Sequence, residues 1–227
     1  MSVAENVLRV HSCVDQAAKK TGRSLKDITI VAVTKGVPLE AVLEAKAAQV
    51  SVFAENRIQE AQMKVPQAAA EWHLVGHLQS NKIAPALELF SLIQSVDSVR
   101  LAKMIQEAAV AAQKTVSVLL EINISGEEQK YGFAPEEIYN AADAITAFSN
   151  IRVLGLMGIA PNTQEVEARR AAFKKLKSIF SVCKTLKAPN FEMKHLSMGM
   201  SSDFEIAIEE GSNMVRLGQA IFGERKT

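Results

Sequence analysis

The stretch that decides the fold is Ile28-Thr29-Ile30-Val31-Ala32-Val33-Thr34-Lys35, a short apolar and β-branched run that ends in a lysine. Such a run is typical of a strand buried on both faces, as in a parallel sheet. Seven further runs of this kind follow along the chain, separated by segments with helical spacing. The predicted strands are Ile28–Thr34, Ser51–Ala54, His73–Gly76, Leu92–Val96, Val116–Asn123, Arg152–Gly158, Glu192–Ser197 and Met214–Gly218.

The segments between the predicted strands are amphipathic. Apolar stripes run from Leu101 to Ala112 and from Phe173 to Cys183, and residues 2–20 predict an additional helix before the first strand. Parallel strands need crossover connections, which these helices provide. Eight strands favour an α/β fold closed into a (β/α)8 TIM barrel. A doubly wound open sheet is the alternative, although no GxGxxG motif or P-loop supports nucleotide binding.

Composition restricts the class of protein further. The chain has 227 residues, and 26 Lys plus Arg against 25 Asp plus Glu give a formal charge of +1, so we expect neither nucleic-acid nor membrane-surface binding. No run approaches the ~20 apolar residues of a membrane-spanning helix, and polar residues near the N-terminus argue against a signal peptide. No linker divides residues 1–227. We therefore expect a single cytoplasmic domain, with reduced cysteines and no metal site because CxxC spacing is absent.

Lys35 is the first candidate for chemistry, because barrel sites form at the carboxyl ends of the strands and Lys35 directly ends the first one. A lysine at the dry mouth of a barrel loses hydration, which favours the neutral amine that a Schiff base requires. The alternative is a solvated lysine that opens a loop. Taken alone, the residue favours that alternative.

A predicted anion site changes this balance. Ser197-Met198-Gly199-Met200-Ser201 follows the seventh strand, and Ser202 with Glu205 has the spacing of a capping box at the start of a helix. Amides, hydroxyls and the helix dipole could converge there on one phosphate, next to Gly218 after the last strand. A lysine facing a phosphate pocket suggests pyridoxal phosphate (PLP), whose aldehyde needs an amine.

Arg216 adds a third feature, because it lies two residues before Gly218 and on the same face of the last strand. If it points inward, it can meet the pyridine nitrogen of PLP. A guanidinium cannot accept a proton, so it would keep that nitrogen unprotonated and weaken the ring as an electron sink. A salt bridge to a neighbouring acid is the alternative.

With these residues assembled, the chain resembles, nearly end to end, the YggS/PROSC family of PLP-binding proteins, also called PLP homeostasis proteins. Six motifs in the right order make the resemblance specific. They are Val31-Ala32-Val33-Thr34-Lys35, Glu55-Asn56-Arg57-Ile58-Gln59-Glu60, Trp72-His73-Leu74-Val75-Gly76-His77-Leu78-Gln79-Ser80-Asn81-Lys82, Gly155-Leu156-Met157, Leu196-Ser197-Met198-Gly199-Met200-Ser201-Ser202-Asp203 and Val215-Arg216-Leu217-Gly218-Gln219-Ala220-Ile221-Phe222-Gly223.

The resemblance implies a barrel similar to the N-terminal domain of alanine racemases. Lys35 would carry PLP covalently as an internal aldimine, Arg216 would face the pyridine nitrogen, and Asn56 and Met157 would lie near the ring. His77 matches a family position near the site to which no role is assigned. The phosphate ligands that the resemblance implies are Ser197, Ser201, Gly218 and Gln219.

The implied function is a carrier or regulator of PLP supply, without established catalysis, whose partners are PLP and PLP-dependent apo-enzymes. The alternative is a low-activity amino-acid racemase. Racemisation needs a second base opposite Lys35, which related racemases take from a β-rich domain of a partner subunit. With the chain ending at Thr227 we expect no such domain and a monomer, leaving Tyr131 and Tyr139 as the only tyrosines. A third reading, a class I aldolase-like enzyme, would use Lys194 in the seventh strand.

Overall fold

The computed structural model describes residues 1–127 and 130–224 of the chain. Within that part, eight strands alternate with helices, after one helix that precedes the first strand. The strands are β1 Thr29–Val33, β2 Val52–Glu55, β3 Glu71–Leu74, β4 Leu92–Val96, β5 Val116–Ile122, β6 Ile151–Gly158, β7 Phe191–Ser197 and β8 Met214–Leu217. The helices are α1 Val3–Lys19, α2 Leu39–Ala47, α3 Ile58–Lys64, α4 Ile83–Leu89, α5 Val99–Ala111, α6 Ile138–Thr146, α7 Val166–Cys183, α8 Phe204–Glu209 and α9 Gln219–Phe222.

The sheet closes on itself. Neighbouring strands pair in parallel from β1 to β8, and β1 pairs with both β2 and β8, with Val31 opposite Val52 on one side and Arg216 on the other. Closure confirms the predicted (β/α)8 TIM barrel and excludes the open sheet. The helix predicted before the first strand is also confirmed, as α1, whose N-terminus is closed by a capping box of Ser2 and Glu5.

Side chains on the strands divide between two apolar clusters, because successive residues of a strand point to opposite faces. The outward residues pack against the helices and form the larger cluster. The inward residues fill the lower part of the barrel interior, as in other barrels of this type. This inner cluster comprises Val31, Val52, Ala54, Leu92, Leu119, Met157 and Met214.

Two local predictions differ from the structure. The third strand runs from Glu71 to Leu74, two residues earlier than predicted. Its pairing with β2 begins with Glu71 opposite Val52 and ends with Leu74 opposite Glu55. The predicted capping box of Ser202 and Glu205 is wrong: Asp203 precedes α8, and its carboxylate accepts from the amide of Met200 at 2.6 Å. In the part of the chain that the structure describes, no helix is long and apolar enough to cross a membrane.

Candidate functional site

The carboxyl ends of the strands surround two neighbouring cavities, and we call this end of the barrel the mouth. One cavity, of about 840 Å³, is lined by Lys35, His77 and Tyr131. The other, of about 230 Å³, is lined by Arg216 and by the loops that follow β7 and β8. Asn56 lines both cavities. The mouth therefore brings together most of the residues that the sequence predicts.

Lys35 lies in a turn directly after β1, closed by a hydrogen bond from the Val37 amide to the Thr34 carbonyl at 2.9 Å. It shares the inward face of the strand with Val31 and Val33 and is half-buried. No carboxylate among the described residues lies within ion-pair distance of its ammonium group. The amine thus faces the larger cavity without a counter-ion.

A buried ion pair supports the backbone behind Lys35. Lys64 Nζ lies 2.6 Å from Glu55 Oε1 and 2.7 Å from the Thr34 carbonyl, and the Thr34 hydroxyl donates to the same carboxylate oxygen at 2.5 Å. Glu55 and Thr34 are fully buried. The sequence does not predict this pair, because Glu55 and Lys64 lie nine residues apart and their contact depends on how α3 packs against β2.

Asn56 provides a buried acceptor without a partner. Its Oδ1 is inaccessible to solvent and forms no hydrogen bond with any residue that the structure describes. The backbone at Asn56 is pressed against Gly76, where a Cβ atom would lie 2.3 Å from the Asn56 carbonyl oxygen. Only glycine permits that approach. A buried acceptor left open costs free energy, which makes Asn56 Oδ1 a candidate acceptor for a ligand's donor.

The Arg216 side chain points into the barrel, which is the condition for its contact with a ring nitrogen at the mouth. Its Nη1 donates to the carbonyl and hydroxyl of Ser197 at 2.9 and 2.7 Å, and its Nη2 donates to the Gly158 carbonyl at 3.0 Å. No salt bridge to Arg216 occurs among the described residues. Burial lowers the pKa of the guanidinium to about 10, so it remains charged at neutral pH.

Ser197 holds Arg216 and does not line either mouth cavity. The residue is fully buried, and its hydroxyl donates to Gln94 Oε1 at 2.6 Å while accepting from Arg216. Its role as a phosphate ligand stays a prediction. In the structure the hydroxyl contacts Arg216, which lines the smaller cavity.

The loops after β7 and β8 form a cradle of backbone amides around the smaller cavity. Ser201 Oγ accepts from the Ala220 amide at 3.1 Å and so joins the two loops. Within residues 1–127 and 130–224, the hydrogen bonds include none donated by the amides of Ser201, Ser202, Gly218 or Gln219. Gly199, with φ of +97°, lets this loop pack against α8, where a Cβ would meet Ala207 at 2.6 Å.

Met157 and Glu121 lie side by side on β6 and β5, at the base of the mouth. Met157 is fully buried in the inner cluster. Glu121 is 8% exposed, and burial raises the pKa of its carboxyl to about 7, although the charge of Arg216 opposes that shift. This carboxyl was not predicted as a site residue; an acidic residue on the inward face of an apolar strand was the signal.

His77 and Tyr131 cover one side of the Lys35 cavity. Their rings stack with centroids 3.9 Å apart and planes inclined by 14°. His77 Nδ1 lies 2.9 Å from Asp97 Oδ2, which fixes the imidazole from the opposite side. Tyr131 remains 59% exposed. Tyr139, on α6, and Lys194, whose ammonium pairs with Glu192, are exposed and line neither mouth cavity.

Comparison with known proteins first defines the class. Residues 12–226 match the family model described as "Alanine racemase, N-terminal domain", which places this chain among the racemase-type barrels. The chain is 39% identical to the pyridoxal phosphate homeostasis protein of Pseudomonas aeruginosa, over 99% of this chain and 96% of the relative. It is 37% identical to that of Aquifex aeolicus over 100% of both chains. The chain therefore belongs to the pyridoxal phosphate homeostasis protein family, whose matched members carry no enzyme name.

A solved relative supports the same assignment. PipY of Synechococcus elongatus, in a structure described as having PLP bound, is 30% identical and superposes with a TM-score of 0.80. The match covers 93% of this chain and 100% of PipY. The predicted family resemblance is thus confirmed.

Proposed function

We propose that this protein binds PLP at the barrel mouth, covalently through Lys35, and acts in the cytoplasm as a monomeric carrier or regulator of PLP supply. In this proposal residues 1–227 form one PLP-binding domain. The names of the relatives and the PLP-bound PipY structure support the ligand. The observation that carries the proposal is the arrangement of Lys35, Asn56 and the amide cradle around two cavities that share Asn56.

The residues at the mouth fit the groups of PLP. The unpaired amine of Lys35 suits the aldehyde, and the open amides of the cradle with Ser201, Gly218 and Gln219 suit the phosphate. Asn56 Oδ1, buried without a partner, can accept from a hydroxyl on the ring. Met157 supplies an apolar base beneath the mouth.

When bound, PLP supplies an aldehyde that engages an amine and a pyridine ring that accepts electrons. Arg216 bears on the second property. Its guanidinium is anchored by three hydrogen bonds, two to carbonyls and one to a hydroxyl, and it donates hydrogen bonds without accepting any. Facing the ring nitrogen, it would leave that nitrogen unprotonated. The cofactor would be held with little activation, which suits a carrier.

The proposal is tested by adding PLP to the purified protein, removing unbound PLP by gel filtration and recording the visible absorption of the protein. We expect a new band in the wild type that Lys35→Ala abolishes. Lys82→Ala is the matched control, because Lys82 lines the same cavity and should leave the band unchanged. A wild-type protein that stays colourless, or a Lys35→Ala variant that keeps the band, would contradict the covalent assignment.

Delivery of PLP to apo-enzymes is the finer part of the proposal. Protein loaded with PLP is mixed with an apo-enzyme, and activation is compared with that produced by an equal amount of free PLP. We expect loaded protein to activate the apo-enzyme at least as fast, even when a scavenger of free PLP is present. Activation that vanishes with the scavenger would show that this protein only releases PLP into solution.

The racemase alternative rests on one observation, the position of Tyr131 beside the Lys35 cavity. The Tyr131 side chain is largely exposed, and its ring stacks on His77. Neither feature directs its hydroxyl to the side opposite the lysine. We therefore expect no exchange of the α-proton of alanine with deuterium. Exchange that Lys35→Ala removes from a folded protein would replace the carrier with an enzyme. The aldolase-like alternative has no support, because Lys194 lies outside the mouth.

A further inference from the structure

A chain of buried polar side chains crosses the barrel interior below the mouth. It starts at Arg216 on β8 and passes through Ser197, Gln94 and His73 to Glu71 on β3. Its four links measure 2.7, 2.6, 2.9 and 2.9 Å. Apart from Glu71, every member is buried, with exposures between 0 and 5%. We call this chain the relay.

The two ends of the relay fix the direction of every link. Arg216 only donates, and the Glu71 carboxylate only accepts. Ser197 must therefore accept from Arg216 and donate to Gln94 Oε1, and Gln94 Nε2 must donate to His73 Nδ1. His73 then donates from Nε2 to Glu71 Oε1. This order requires a neutral imidazole with its proton on Nε2.

No other arrangement satisfies the same atoms. If the Gln94 amide were reversed, its Nε2 would donate to Ser197 Oγ, whose own proton would then have no acceptor among the described residues, and its Oε1 would need a proton on His73 Nδ1. A neutral His73 would then turn a bare Nε2 toward the Glu71 carboxylate. Nearby groups do not change these hydrogen-bond directions. His195 lies close to His73 but shares no hydrogen bond with it. Gln94 Nε2 also contacts Met214 Sδ, at 3.3 Å.

The lower end of the relay opens into a third cavity, of about 470 Å³, at the amino ends of the strands, and we call this end the bottom. Glu71 and His73 line it, together with Ser117. The relay therefore spans the barrel from the bottom cavity to the arginine at the mouth.

We propose that Gln94 and His73 are positioning residues for the cofactor site. Through Ser197 they set the orientation of Arg216, so a change in the hydrogen bonding of Glu71 at the bottom alters the orientation of Arg216 at the mouth. The inference rests on the proposed function only for its effect on PLP. The relay itself is a property of the protein without cofactor.

The decisive variants change Gln94 without changing the outside of the barrel. In Gln94→Leu the relay is cut, and we expect the dissociation constant for PLP to rise about fivefold, the effect of one lost buried hydrogen bond. In Gln94→Glu the size is kept, but both oxygens only accept. His73 must then donate from both nitrogens, so we expect an imidazolium at neutral pH.

Two controls separate positioning from general destabilisation. Ser117→Ala changes the same bottom cavity and has no part in the relay. Asn190→Ala removes two hydrogen bonds from a half-buried amide outside the barrel interior. We expect both controls to keep the wild-type affinity for PLP, and Asn190→Ala to do so even if it unfolds at lower urea.

The test is nitrogen-15 NMR of the His73 ring and of the Arg216 guanidinium, recorded without cofactor, beside PLP titrations of each variant. We expect wild-type His73 to be protonated only on Nε2, Gln94→Glu to show both nitrogens protonated, and Gln94→Leu to shift the Arg216 signals. A wild-type proton on Nδ1, or Arg216 signals unmoved in folded Gln94→Leu, would overturn the relay. If PLP fails to bind the wild type while these signals behave as expected, only the proposed function fails.

Discussion

At the bottom of the barrel, the Glu71 carboxylate and the His73 imidazole are hydrogen-bonded to each other, 2.9 Å apart. At the mouth, Asn56 Oδ1 is buried without a partner, and Lys35 has no counter-ion among the described residues. Both ends enclose a cavity, so cavity volume does not tell them apart. The difference lies in hydrogen bonding: at the bottom Glu71 and His73 bond to each other, whereas at the mouth Asn56 Oδ1 and the Lys35 amine have no partner among the described residues.

A buried ion pair supports the mouth from behind β1 and β2. Lys64 is the cation paired with Glu55 beneath Lys35, and removing it leaves a fully buried carboxylate unpaired. We expect Lys64→Met to lower the free energy of unfolding by about 3–5 kcal/mol, measured by urea denaturation. Lys103→Met, in an exposed i,i+4 pair, is the control and should change it by less than about 1 kcal/mol. Equal losses in the two variants would show that the buried pair does not support the mouth.

The buried Glu121 carboxyl at the mouth should make the free energy of unfolding depend on pH. Its pKa is about 7 in the folded protein and 4.5 in the unfolded chain, so the folded state binds more protons between these values. Its contribution therefore falls as pH rises from 4.5 to 7, by about 3 kcal/mol in total.

Glu121→Gln removes this dependence, so the variant should gain stability relative to the wild type as pH rises from 4.5 to 7. Urea denaturation at pH 5 and pH 8 measures the difference. A constant difference between the two proteins at both pH values would mean that the Glu121 carboxyl titrates normally.

The phosphate cradle distinguishes the mouth from the bottom most specifically. We expect PLP to bind at least about tenfold more tightly than pyridoxal, because pyridoxal leaves the amides of the cradle unpaired. Ser201→Ala should narrow that ratio, since Ser201 Oγ joins the two loops. Ser117→Ala, at the bottom, is the control and should preserve the ratio. Equal affinities for PLP and pyridoxal would place the phosphate elsewhere.

The smallest effect is expected at the edge of the mouth. Tyr131→Ala removes the ring stacked on His77 and should lower the free energy of unfolding by about 1 kcal/mol. Tyr139→Ala is the matched control, because Tyr139 is also exposed and joins no aromatic pair among the described residues. Urea denaturation compares the two. A loss no larger in Tyr131→Ala than in Tyr139→Ala would show that the stacking does not hold the loop.

The fold could be predicted from sequence because each strand is marked locally. Runs such as Thr29–Val33 are largely apolar on both faces, and eight strands alternate with amphipathic helices. Lys35 and Arg216 could be predicted for the same reason, since position at a strand end or on a strand face follows from counting residues.

The network that supports the site could not be predicted in this way. Gln94, His73 and Ser197 come from three different strands, and their contacts depend on how the closed barrel sets those strands against one another. The pairing of Glu55 with Lys64 likewise depends on how α3 packs behind β2. The sequence does show a polar residue on an inward strand face at Gln94. It does not show which residues that side chain would contact.

The most direct test of the central claim is to load the protein with PLP, reduce the complex with borohydride, digest it and locate the cofactor by mass spectrometry. Reduction fixes PLP to the amine that it has engaged. We predict that the label lies on Lys35 and is absent from Lys82, which lines the same cavity. A label on Lys82 or on Lys194, or no label at all, would contradict binding of PLP through Lys35 at the mouth.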